Sequence, residues 1–413
     1  MSYSKTIFFI PVWFDDYCIF KENMDNNALW TAVSKEKYLP RYLLHYATRI
    51  AESPNLFSLY ELKDPTQLNI YMFAEELKLK NIPIIENVRF SCFSTGVGFM
   101  EFWVSYNDTT PEEIENFSYL FKKATKMCNK DIPNGKRALY DVALSLVPEN
   151  TNTKLFFSTT AEFKYECICF HFLHIDEPSG NEKETHERLY RLSRSYNTGF
   201  EQLIESDYDM IYMPTENDHW GGSAEGLVNI VYDKNHDENN YYLHVYKEEH
   251  LSIDYYFLYL LLLNQRFTAI QYINKIAINI HNNKIEEDDK LNKRIVELKT
   301  VFSFNVISGD KIFQNVYSKM YTIFQIENLL KDIVDNEAHM QILQNANSVR
   351  IEKLSSKFLF GISLLSLFSA LIDASSYFDR IEPLKSIATI LGFFCVSITV
   401  VVCVILLIRG KKW

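Results

Sequence analysis

The sequence predicts an α/β (or α+β) cytoplasmic domain, then a long stalk helix region, then a C-terminal two-helix transmembrane hairpin. Three observations predict it. Strand-like and helix-like apolar patterns follow one another through residues 1–283. Residues 291–357 contain no proline, and their one glycine is Gly309. Residues 358–378 and 387–408 are apolar runs joined by a short polar link.

In chain order, 6–14 reads as a buried strand and not as a signal peptide. Pro11 breaks it, Asp15 and Asp16 stop it, and no small-residue cleavage site follows. Residues 41–51 have helical spacing, with Leu43, Leu44, Ala47 and Ile50 on one side. Residues 55–62 and 67–73 are strand-like, and 88–93 and 97–106 flank Ser94-Thr95-Gly96 as a hairpin. Thr110 is a candidate N-cap with Pro111 at the first helical position. Residues 154–159 and 163–173 read as a strand pair, and 182–205 as a long charged helix. Residues 208–213 and 226–232 are short strands, with turn-rich 214–225 between them and a polar loop at 233–240. Helix returns over 253–277, and its apolar piece 255–263 is too short to span a bilayer.

The connector repeats apolar residues at Ile312, Val316, Met320, Ile323, Ile326, Leu330 and Ile333, and on to Leu354. Read as one helix it would have ~65 residues and a length of about 100 Å. Such a stripe needs partners, so the stalk is expected inside an oligomer. The alternative is two ordinary helices broken near Ser308-Gly309-Asp310. The run 387–408 has no charge over about 22 positions, enough to cross a ~30 Å hydrocarbon core. Arg350, Lys353 and Lys357 precede the first run, and Arg409, Lys411 and Lys412 follow the second. The positive-inside rule then makes both termini cytoplasmic, with Trp413 as an interfacial anchor. The expected divisions are a sensor domain at 1–283, a stalk at 284–357 and spans at 358–378 and 387–408, with an external loop at 379–386 and a basic tail at 409–413.

The chain has 413 residues, so a two-span reading leaves enough in water for a sizeable core. Its net charge of −11 argues against a nucleic-acid polymer as partner. Seven scattered cysteines suggest reduced thiols rather than a disulfide framework.

The layout of 291–413, with its terminal Lys411-Lys412-Trp413, resembles the CorA-type two-helix metal-ion transporters. The resemblance implies a funnel-shaped homopentamer in the lipid bilayer, here a multi-pass protein of a bacterial inner (plasma) membrane. It also implies a pore lined by the first span. The family's Gly-Met-Asn signature is replaced by Ala374, Ser375 and Ser376. The lost signature and the enlarged first domain are similar to the CorA-like proteins encoded with type III CRISPR systems. Those imply an antiviral membrane effector gated by a nucleotide second messenger, an S-adenosylmethionine-adenylate conjugate. A Mg²⁺ or other divalent-cation transporter with an altered filter, and a tethered binding protein without a pore, are the alternatives.

At ~100° per residue, Ser363, Ser366, Ser369, Ala370 and Asp373 share one arc of the first span and are the candidate pore lining. Asp218, His219, Trp220, Gly221 and Gly222 form the densest polar, aromatic and glycine cluster; Trp220 could stack on a base and the glycine backbone approach a small-molecule ligand. Against this stands a plain structural turn. Arg191 and Arg194 offer guanidinium groups to phosphate, unless they are a solvated helix face. Glu286, Glu287, Asp288 and Asp289 are candidate ligands for a regulatory cation, or an exposed helix start. Cys167, Cys169 and His171 share a strand face, as metal ligands or core thiols. Gly96-Val97-Gly98 lacks the third glycine of a dinucleotide loop. No nucleophile elbow or phosphate loop occurs, so no enzyme activity is expected.

Overall fold

The computed structural model describes residues 4–123, 135–137, 139–148, 154–155, 167–176, 182–199, 210–233, 246–281, 289–336, 338, 352–363 and 366. By internal contact the chain divides into Met1–Asn282 with Glu287–Asn336, and Asn283–Glu286 with Glu337–Trp413.

The first unit opens with β1 (Lys5–Trp13), α1 (Tyr17–Asp25), β2 (Trp30–Ala32), α2 (His45–Glu52), β3 (Phe57–Leu62) and α3 (Ala74–Leu77). It continues through β4 (Ile84–Phe93), β5 (Val97–Ser105), α4 (Pro111–Lys123), α5 (Leu139–Leu146), β6 (Lys154–Leu155), β7 (Ile168–Ile175) and α6 (Glu182–Arg194). It closes with β8 (Met210–Thr215), β9 (Asp218–Ser223), β10 (Gly226–Tyr232), α7 (Lys247–His250), α8 (Tyr256–His281), α9 (Asp289–Thr300) and α10 (Lys311–Ile323).

These strands form one sheet in the order β2-β3-β4-β5-β1-β7-β10-β9-β8, with β6 also on β1. Its described pairs are antiparallel except β7 with β10. Central β1 pairs β5 from Lys5↔Ser105 to Trp13↔Val97 and is buried on both faces from Thr6 to Val12, and this is why Ile7 to Trp13 is an apolar run. One face sends Phe8, Ile10 and Val12 against Phe20 of α1, Phe117 and Phe121 of α4, and Leu189 and Leu192 of α6. The other face meets α8, where Phe9 packs on Tyr259, Phe99 on Phe267 and Phe170 on Tyr259. Phe257 through Leu263 are all fully buried, which explains a helix segment apolar on every side. The start of α4 is a capping box: the Glu113 amide donates to Thr110 Oγ1 at 3.3 Å, and the Thr110 amide donates to Glu113 Oε2 at 2.8 Å.

Several expectations are corrected. The stalk is not one rod. Residues 301–310 are not helical, α10 starts afresh with Asp310 accepting the Ile312 and Phe313 amides, and helix is interrupted again at Gln325, with φ of 53°. Phe313, Val316, Tyr317 and Met320 are buried, so this part of the stripe packs within the first unit. The C-terminal transmembrane hairpin and the CorA-like funnel are corrected too: among the described residues no helix is long and apolar enough to cross a membrane. The described part of the first run is 358–363 and residue 366, all helical. The 26-residue α8 is long enough but carries Asn264, Gln265, Arg266 and Lys275. The membrane and ion-channel assignments, and the multi-pass inner-membrane location, are overturned by the same finding. Residues 367–413, with Ser369, Ala370, Asp373, Ala374, Ser375 and Ser376, lie outside the described residues. Ser363 is exposed and its hydroxyl donates back to Leu359 O at 2.9 Å.

Candidate functional site

The cluster Asp218, His219, Trp220, Gly221 and Gly222 is a strand and not a turn. It is β9, buried throughout, between β8 and β10. Gly221 is set by packing: a Cβ there would lie 2.8 Å from Leu189 Cβ, so the missing side chain lets α6 rest on the sheet. Trp220 is fully buried with its ring 4.5 Å from that of Tyr255, leaving no face for a base. Asp218 accepts from Lys247 Nζ and from Asn229 Nδ2, each at 2.6 Å. Lys247 is itself buried and lies 5.3 Å above the Trp220 ring, which makes the charged pair a staple between β9 and α7. His219 Nε2 is 2.9 Å from Glu216 O, and burial pushes its imidazole below the usual value.

Arg188 and Arg191 of α6 are occupied by carboxylates. Arg191 donates to Glu115 through Nε at 2.7 Å and Nη2 at 3.3 Å, and Glu115 is fully buried in α4. Burial pushes the Glu115 carboxyl up, with Arg191 and then Arg188 pulling against it. Arg188 Nη2 donates to Glu112 at 2.7 Å. Arg194 lies 4.2 Å over the Tyr190 ring. A phosphate would have to displace these partners, so the row joins α4 to α6 rather than offering a free anion site.

Among the described residues no group of His, Cys, Asp and Glu is placed to hold a metal ion. Cys169 takes a hydrogen bond from Ser195 Oγ at 3.1 Å, and His171 Nδ1 is 2.7 Å from Thr6 Oγ1. Asp289 is the first residue of α9, whereas Glu286, Glu287 and Asp288 lie outside the described residues.

The open site lies elsewhere. A cleft of about 800 Å³ runs between α2 with its following turn and residues 300–306. Tyr46 and Phe304 stack at its edge, ring centroids 5.4 Å apart and planes 30° apart. Arg49 projects into it, exposed and in no ion pair among the described residues. Glu52, Ser53, Ser303 and Asn305 give it polar rims, with Glu52 the one carboxylate among the described residues of the lining, and Ile50, Leu56 and Val301 an apolar lining. Its size and lining suit a small molecule.

Sequence reasoning missed this site. The helical spacing of 41–51 shows which side of α2 is buried, but Arg49 and Phe304 are brought together only by folding. Comparison with protein-family models, with characterised proteins and with solved structures finds no match, so the chain is assigned to no family.

Proposed function

We propose that this chain acts by binding and not by catalysis, and that its sheet unit is a receptor for a small planar anion of the adenine-nucleotide type. The observation that carries this is the cleft beside Arg49: a guanidinium in no ion pair among the described residues, next to the stacked rings of Tyr46 and Phe304. A guanidinium fork matches phosphate oxygens. The exposed ring of Tyr46, backed by Phe304, suits a base, and the hydroxyls of Ser53 and Ser303 with the Asn305 amide suit a sugar. The S-adenosylmethionine-adenylate conjugate implied by the CRISPR-associated resemblance has this chemistry.

The test is calorimetric titration of the full chain with adenosine monophosphate and with that conjugate. Losing a hydrogen bond to a charged group costs about 1.5–3 kcal/mol, so Arg49→Ala should weaken binding about 10- to 100-fold. Arg49→Lys keeps the charge without the fork and should fall between. Absence of binding to either ligand, or equal binding by wild type and Arg49→Ala, would refute the proposal.

A further inference from the structure

The second wall of the cleft is an irregular strap, residues 302–308, between α9 and α10. Irregular backbone near a core needs partners for its polar groups, and three side chains supply them here. From α8, Gln265 Nε2 donates to Phe302 O and, at 3.2 Å, to the Tyr317 hydroxyl oxygen. From α10, the Tyr317 hydroxyl donates to Phe304 O at 3.0 Å. Gln314 uses both ends of its amide: Nε2 donates to Asn305 O at 3.2 Å, and Oε1 accepts the Ile307 and Ser308 amides at 2.8 and 3.4 Å.

The strap is also fastened to the other wall at one end. The Leu44 amide donates to Ile307 O at 2.8 Å, and Ser308 Oγ donates to Tyr42 O at 2.6 Å. Asp254 Oδ1 then accepts the Arg41 and Tyr42 amides at 2.6 and 3.2 Å. The entry to α2 is thus pinned to the turn Leu251–Tyr255 that leads into α8 on one side and to the strap on the other. Phe304, which faces Tyr46, hangs from Tyr317.

We infer that Gln314 and Tyr317 are positioning residues for the cleft, and that α10 is the element that registers its occupancy. This rests on the receptor reading above. A ligand lying on the exposed ring of Tyr46, which stacks on Phe304, restrains the strap. Tyr317 is 1 % exposed and shares the packed face of α10 with Phe313, Val316 and Met320. A close-packed side chain has little room to absorb the restraint by rotating. The restraint therefore passes to the α10 backbone as reduced opening, a coupling through order that needs no large displacement. The same bonds act in reverse: without them Phe304 is loosely held, and the ligand must order it at its own cost.

Hydrogen–deuterium exchange of the full chain, with and without saturating adenosine monophosphate, tests this. In wild type the nucleotide should slow exchange in the cleft walls, 44–56 and 300–308, and also in α10. Tyr317→Phe keeps the ring and removes the hydroxyl. Loss of one hydrogen bond corresponds to about a three- to ten-fold weaker affinity, and saturated Tyr317→Phe should show protection in 44–56 with the α10 response lost. Gln314→Ala should behave alike, and Lys319→Ala, on the exposed side of α10, should behave as wild type. If wild type binds the nucleotide and Arg49→Ala does not, yet α10 exchange is unmoved, the inference fails while the receptor reading stands. Tyr317→Phe with wild-type affinity and an intact α10 response would overturn it equally. A wild type that binds no nucleotide overturns both.

Discussion

Gly221→Ala decides what the glycines of β9 are for. The new Cβ would sit 2.8 Å from Leu189 Cβ, 3.1 Å from Cδ2 and 3.4 Å from Cγ. The side-chain tip can turn aside, but Leu189 Cβ is fixed to the backbone of α6. An ordinary carbon–carbon contact is about 3.5–4.0 Å, so α6 has to lift by about 1 Å. That disturbs the neighbouring Arg191–Glu115 pair and the packing of Leu192. Overpacking of this kind costs about 1–3 kcal/mol. Taking about 2 kcal/mol, and an unfolding entropy of about 2.1 cal/mol/K per residue over the whole first unit, the melting temperature should fall by about 3 °C. Gly309→Ala is the control: no atom lies within 4 Å of its Cβ position and its φ is ordinary. That variant should be neutral, or stabilising by about 0.4–1 kcal/mol. Thermal melts and urea titrations of the full chain give both values. A Gly221→Ala protein as stable as wild type but unable to bind a nucleotide would refute the packing account and make β9 a ligand strand.

Two other perturbations follow from buried charge. Lys247→Met leaves Asp218 buried with Asn229 as its remaining side-chain donor, which should cost about 3–5 kcal/mol in urea unfolding; Lys247→Met with Asp218→Asn should recover most of this, and equal loss in single and double variants would contradict the staple. Glu101 is fully buried beneath α8, where it accepts from the Tyr256 hydroxyl at 2.7 Å and from Trp103 Nε1 at 3.2 Å. Burial pushes its carboxyl above the ordinary 4.5 despite those donors. The folded state then holds the proton more tightly than the unfolded state, so Glu101 costs stability as pH rises from about 4.5 through its raised value. Glu101→Gln removes that cost, and its stability relative to wild type should grow with pH over this window and then level off. Parallel stability–pH curves would show that Glu101 is not the group responsible.

Much of the fold was legible because local chemistry and tertiary demand agree there. Central β1 must be apolar on both faces, and it is the clearest strand in the sequence. The β4–β5 hairpin turns at Gly96, whose φ of +88° suits glycine, and Thr110, Pro111 and Glu113 mark the start of α4 within a few residues. Reading failed where residues answer to distant partners. Asp218-His219-Trp220-Gly221-Gly222 has the composition of a turn, yet it is a strand because β8, β10, Lys247 and Leu189 complete it. The expected rod from 291 onward has helical periodicity but stops at 301–310, where Gln265, Gln314 and Tyr317 satisfy the irregular backbone.

By itself, then, the sequence determined elements such as β1, the β4–β5 hairpin and the start of α4, because period, caps and turn residues act over a few positions. It also showed that the chain carries guanidinium groups fit for an anion. Which of them is available was decided only by the tertiary structure. Glu115 and Glu112 claim Arg191 and Arg188, while Arg49 is left beside the rings of Tyr46 and Phe304. Ion pairing and stacking depend on distances across the fold, and no spacing along the chain encodes them.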